Sequence, residues 1–127
     1  RSQSNYQFGY RSPALANWKE GMHFARKADS GDSRNQLYSK LLPETFGWTL
    51  IAATHDNDTL KFYLNGELVD TQHWPQKQPL AEGGLQIGSD FSPDDPSRFN
   101  GLLSELLIAK RIFTEEEMAR MYQAGKP

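Results

Sequence analysis

The densest run of β-branched and aromatic residues lies between Trp48 and Thr71, in three pieces: Trp48-Thr-Leu-Ile-Ala-Ala-Thr-His55, Leu60-Lys-Phe-Tyr-Leu64 and Glu67-Leu-Val-Asp-Thr71. Such residues fit a pleated surface, so each piece reads as a strand. Asn65-Gly66 stands between the second and third. A type I′ turn needs positive φ at both central positions, which Asn and Gly supply at least cost, so these strands form a hairpin. A two-residue loop pairs Leu64 with Glu67, setting Phe62 opposite Val69 and Lys61 opposite Asp70, an opposite-charge pair. Asn57-Asp58 makes a second tight turn, and the first strand, apolar on both faces, is expected to be central in an antiparallel meander.

Upstream, Tyr6-Gln-Phe-Gly-Tyr10, Gly21-Met-His-Phe-Ala25 and Gln36-Leu-Tyr-Ser-Lys40 are short strand candidates, divided by Ser-Pro-Ala and by the polar stretch from Asp29 to Asn35. Downstream, Gly84-Leu-Gln-Ile-Gly88 reads as a strand, Ser89 to Asn100 as a turn-rich loop, and Leu102 to Ala109 as a further strand with much of its surface buried. Its Leu and Ala content is also compatible with helix. One helix start is plainly written. Thr114-Glu-Glu-Glu117 is a capping box, with Phe113 placed to staple against Met118 and acidic residues where the helix dipole favours them. Met118, Met121 and Tyr122 share a face, and Gly125 sits where a C-terminal cap is expected. Short strands followed by one terminal helix predict a single all-β domain over residues 1–127, an antiparallel β-sandwich.

Composition narrows the chemistry. The 127 residues are 37% hydrophobic and 24% charged, which suits an ordered globular domain rather than a disordered chain. A formal net charge of −2 with scattered basic residues argues against nucleic acid as a partner. No apolar stretch approaches the roughly 18 to 20 residues of a membrane span, so membrane insertion is not expected. The absence of Cys removes disulfides, thiolate metal sites and a Cys nucleophile, and leaves the redox compartment open. A start at Arg1 rather than Met is what a piece of a longer protein would show.

The order of signals resembles the concanavalin-A-like, laminin-G-like jelly-roll domains and their pentraxin relatives. The resemblance rests on Trp48 to Thr54, Leu60-Lys-Phe-Tyr-Leu-Asn-Gly-Glu-Leu-Val69, Leu85-Gln-Ile-Gly88, Phe99-Asn-Gly-Leu-Leu-Ser-Glu-Leu-Leu-Ile108 and Phe113-Thr-Glu-Glu-Glu-Met118, and covers about residues 46 to 125. Thr49 and Leu50 follow Trp48 where the family has a His-rich strand start, and Ser104 stands where many members carry Asp. The resemblance implies a jelly roll that lacks the first strands of a complete domain or is divergent there, an extracytoplasmic location in a larger secreted, periplasmic or cell-surface protein, and a carbohydrate or protein ligand.

Relatives of this kind often hold calcium, which needs several hard oxygen ligands. Three acidic loops are available: Asp56-Asn57-Asp58, Asp29 to Asn35, and the loop carrying Asp90, Asp94 and Asp95. Ordinary turn formation is the competing role for each of the three; if one holds a metal, the last is the loop expected to, being the longest and lying between two predicted strands. For sugar binding, an exposed aromatic would stack on a pyranose face. Trp18 and Trp74 sit in predicted loops among polar neighbours, and the competing role for each is to cover an end of the core. Trp48, at the head of a strand, is expected in the core. Jelly-roll glucanases use alternating carboxylates on one strand, whereas Ser104-Glu105-Leu106-Leu107 carries a single acid and Glu67 and Asp70 point to opposite faces. His23, His55 and His73 match neither a zinc-protease spacing nor a nucleophile elbow. Asn57-Asp58-Thr59 matches a glycosylation sequon but falls on a turn that explains all three residues. A non-catalytic recognition or adhesion module is therefore expected. The alternatives are a glycan-cleaving domain and a structural spacer.

Overall fold

The computed structural model describes residues 6–11, 21–27, 34–38, 47–56, 58–73, 87–88, 99 and 101–126. These form six strands and one helix: β1 (Tyr6–Arg11), β2 (Gly21–Lys27), β3 (Arg34–Tyr38), β4 (Ile51–His55), β5 (Thr59–Leu64), β6 (Glu67–His73) and α1 (Glu115–Gly125). The strands make two antiparallel three-stranded sheets, ordered β1-β2-β3 and β4-β5-β6. In the first, the register sets Phe8 opposite Phe24 and Phe24 opposite Leu37.

In the second sheet β5, not β4, is the middle strand. β5 is apolar on both faces as well, and its two-residue turn into β6 and tight turn from β4 give it both neighbours. Side-chain alternation puts Leu60, Phe62 and Leu64 on one face. Leu60 and Phe62 are fully buried, with Ile51, Ala53, Leu64 and Val69 packed against them. On the other face Tyr63 is also buried.

The hairpin turns at Asn65 (φ 51°) and Gly66 (φ 82°), as the Asn-Gly pair predicts. Leu64 pairs with Glu67 and Tyr63 with Leu68, but a bulge follows and Phe62 pairs with Asp70 and Lys61 with Thr71. The expected Phe62/Val69 and Lys61/Asp70 pairs are therefore absent. One extra residue in β6 shifts every pair beyond it, so Asp70 accepts a hydrogen bond from Gln72 Nε2 (2.8 Å) and Lys61 reaches Glu115 instead (3.4 Å).

The helix begins as its capping box predicts. Thr114 Oγ1 accepts from the Glu117 amide (3.1 Å) and the Glu117 carboxylate accepts from the Thr114 amide (2.8 Å). Arg111 grips the same carboxylate at 3.1 Å and lies 4.0 Å from the centre of the Phe113 ring. Gly125 is the last helical residue rather than a left-handed cap; Lys126, extended at φ −62° and ψ 129°, ends the helix. The helix packs on the β5–β6 turn. A Cβ at Gly66 would lie 2.9 Å from Tyr122 Cβ and 3.0 Å from Ala119 Cα.

One expected strand lies mostly outside the described residues, and another is not formed. Ile87 and Gly88 belong to no strand, and residues 84–86 lie outside the described residues. Leu102 to Ala109 is neither helix nor strand and is exposed throughout, contrary to the expected burial. A ladder needs a neighbour, and no backbone hydrogen bond reaches this segment among the described residues.

Candidate functional site

The residues expected to bear recognition chemistry flank the described strands in sequence. Trp18 lies in sequence between β1 and β2, Trp74 directly follows the end of β6 at His73, and Asp90, Asp94 and Asp95 follow Gly88. All five lie outside the described residues, as does the Asp29 to Asn35 stretch apart from its last two residues. What is described is the frame that carries them. The Phe99 amide donates to the Gly88 carbonyl at 2.7 Å, so the ends of the acidic loop are tied at its base. Gly88 takes φ 83°, a left-handed conformation that a side chain would disfavour. The Phe99 ring then lies across Gly101, where an added Cβ would come within 2.9 Å of it. The Phe-x-Gly piece is thus a steric requirement: the glycine leaves room for the ring.

The Asp56 turn is the one acidic cluster whose geometry is visible. Asp56 Oδ1 accepts from the amides of Asp58 (2.8 Å) and Thr59 (2.6 Å), and the Asp56 amide donates to the Thr59 carbonyl (3.1 Å). Those two amide donors, Asp58 first, hold the Asp56 carboxyl below the ordinary range, with His55 and Lys61 adding weaker attraction. Its negative charge is used to make a turn, which is the role predicted for it. Among the described residues no three His, Asp or Glu side chains converge as a metal site.

Trp48 departs from its expected core role. It precedes β4, which starts at Ile51, and is 53% exposed. Ile87 and Phe99 are similarly exposed, so aromatic and aliphatic surface flanks the tied loop in sequence at Phe99 and Ile87. The signal for Trp48 was Gly47 immediately before it, which marks a chain not yet committed to a strand.

A family model for laminin-G-type domains, described as concanavalin A-like lectin/glucanases superfamily, matches residues 1–119. The chain belongs to this superfamily. The match extends well upstream of the motifs between residues 46 and 125 that carry the resemblance in sequence, taking in β1, β2 and β3. Among curated proteins none matches. A solved structure of an S-layer domain-containing protein (residues 221-444) from Clostridium thermocellum is similar at 20% identity with a TM-score of 0.45. It is covered over 51% of its length by 80% of this chain, so the laminin-G-like chain spans about half of that protein's solved piece. No helix among the described residues is long and apolar enough to cross a membrane.

Proposed function

We propose that this laminin-G-like chain is a non-catalytic recognition or adhesion module of a larger extracytoplasmic protein, with a jelly-roll arrangement of its strands and a carbohydrate or protein as ligand. Family membership over residues 1–119 carries this reading. Fold alone names no ligand, and the chemistry comes from the loops: Trp18 and Trp74 offer ring faces for a pyranose, with Asn17 and His73 beside them as hydrogen-bonding groups. The segment Ser104 to Leu107, which carries a single carboxylate, supports binding over glycoside hydrolysis, since the two-carboxylate mechanism needs a second acid about 5 to 9.5 Å away. Asp90, Asp94 and Asp95 form a hard-oxygen donor set of the kind calcium takes, on a loop tied at Gly88 and Phe99.

A glycan array and a polysaccharide turnover panel, run on the same protein, test the reading. Binding without turnover, weakened by Trp18→Ala or Trp74→Ala, is the expected outcome. Hydrolysis abolished by changing a single carboxylate would establish the catalytic alternative, and the absence of both glycan and protein binding would leave a spacer.

A further inference from the structure

An asparagine followed by glycine is open to attack by its own backbone, because glycine puts no Cβ over the nitrogen that attacks. The chain carries this pair twice, at Asn65-Gly66 and at Asn100-Gly101. In the reaction the glycine nitrogen gives its proton to base and bonds to the asparagine Cγ, the Cγ–Nδ2 bond breaks, and ammonia leaves a succinimide ring. Water then opens the ring at either carbonyl, giving aspartate or an isoaspartate whose main chain runs through Cβ. The ring is nearly planar, so it closes only when Cβ and the attacking nitrogen lie on the same side of the Cα–C bond.

Asn65 is held in the opposite arrangement. At φ 51° it is left-handed, and a left-handed residue has ψ near about +47°, which turns the Gly66 nitrogen almost directly away from Cβ. The carbon itself is primed for attack, since the Leu50 amide donates to Asn65 Oδ1 at 3.0 Å and draws electron density from Cγ. What is lacking is reach. Bringing the nitrogen round swings the Gly66 peptide, and Gly66 lies against α1: a Cβ there would stand 2.9 Å from Tyr122 Cβ, 3.0 Å from Ala119 Cα and 3.1 Å from the Met118 carbonyl oxygen. The buried Met118 and the Lys61–Glu115 ion pair (3.4 Å) seat the helix in turn. At 11 residues α1 is too short to be stable alone, so its capping box helps to keep it formed and in place. We propose that Asn65-Gly66 is a latent deamidation site gated by α1, closed while the helix covers the turn and reactive when the helix lifts. The isoaspartyl product adds a main-chain atom to a two-residue loop whose ends, Leu64 and Glu67, are paired. That product cannot rebuild the turn on which α1 sits, so it makes a transient lifting of the helix permanent.

Peptide mapping by mass spectrometry on the 127-residue chain, incubated at mildly alkaline pH in buffer and in guanidinium chloride, tests this by reading the amide-to-acid mass gain at both Asn-Gly pairs. In denaturant Asn65 and Asn100 should react alike, which fixes the rate of the unfolded pair. In buffer Asn65 should react at least about tenfold more slowly than in denaturant. Thr114→Ala removes the helix cap and should speed Asn65 about fivefold. Asp56→Ala loosens the turn at the other end of β5 and should leave the Asn65 rate within about twofold of native. Circular dichroism confirms that each variant is folded. A native Asn65 that reacts as fast as in denaturant overturns the proposal, as does a Thr114→Ala rate equal to the native one. Acceleration by Asp56→Ala as large as by Thr114→Ala would assign the opening to unfolding of the whole chain and overturn the helix as its gate.

Discussion

Asn65 and Gly66 each do more than turn the chain. Asn65 Oδ1 accepts from the Leu50 amide (3.0 Å) and the Asn65 amide donates to the Leu50 carbonyl (2.8 Å), so the turn residue also anchors the entrance to β4. Asn65→Gly keeps the positive φ and loses the side-chain acceptor, and should cost about 1 kcal/mol in a urea titration. Gly66→Ala is worse for two independent reasons. Its φ of 82° strains any side chain, and the added methyl meets helix backbone at Ala119, which cannot swing away. A loss of about 2 to 3 kcal/mol is expected, with a frayed helix in the amide-exchange pattern. Asp56 sets a pH dependence whose sign follows from its amide donors. Its carboxyl is lowered from 3.8 in the folded chain, so its contribution is present above that value and disappears as pH falls through the lower folded value. Asp56→Ala should therefore flatten the acid limb of stability below about pH 4 relative to the native chain, read as denaturant midpoint against pH. A full acid slope in the variant would assign it to other groups.

At the level of elements, the capping box is the clearest case of legible sequence: Thr114 and Glu117 form both reciprocal bonds. Thr114→Ala should remove about 1 kcal/mol of stability, while Thr114→Ser should be close to neutral, measured by thermal melting monitored on the helical signal. The Asn-Gly hairpin was equally legible, because turn chemistry is local and only a left-handed conformation suits that pair. β1, β2 and β3 lie within a few residues of their predicted positions for the same reason, being bounded by turn-forming residues. What sequence could not disclose depended on neighbours. The bulge opposite Phe62 and Tyr63 arises where both residues are buried, on opposite faces, and no pairwise rule for Lys61 and Asp70 anticipates it. Which strand is central is decided by connection lengths, and the second face of β4 is only partly buried except at Thr54. Leu102 to Ala109 carried a strand's composition, but composition specifies a willingness to pair and not the partner. Beside the capping box, Arg111, held by Glu117, also lies over the Phe113 ring, a contact that the capping pattern does not anticipate.

At the scale of the whole molecule, the described residues at either end of the Asp90 to Asp95 loop bear on its proposed metal binding. The Gly88–Phe99 hydrogen bond and the fit of Phe99 over Gly101 bring the two ends of the Asp90 to Asp95 loop together, which lowers the entropy that a bound ion must offset in ordering it. A divalent ion assembled there would bind only the folded chain and so raise its melting temperature by mass action. At calcium a hundredfold above its dissociation constant the gain is about 2.7 kcal/mol, which for a domain of this size corresponds to roughly 10 °C. The expected result is a calcium-dependent rise over chelator that Asp94→Ala and Asp95→Ala each reduce, with magnesium far less effective because it holds its waters and demands a stricter geometry. Gly101→Ala separates frame from ligand: it leaves every carboxylate in place but pushes on the Phe99 ring at the loop base, so it should weaken the calcium response while leaving the capping and hairpin signals intact. Identical melts in calcium and chelator for the native chain would show that these carboxylates serve the loop as ordinary turn residues.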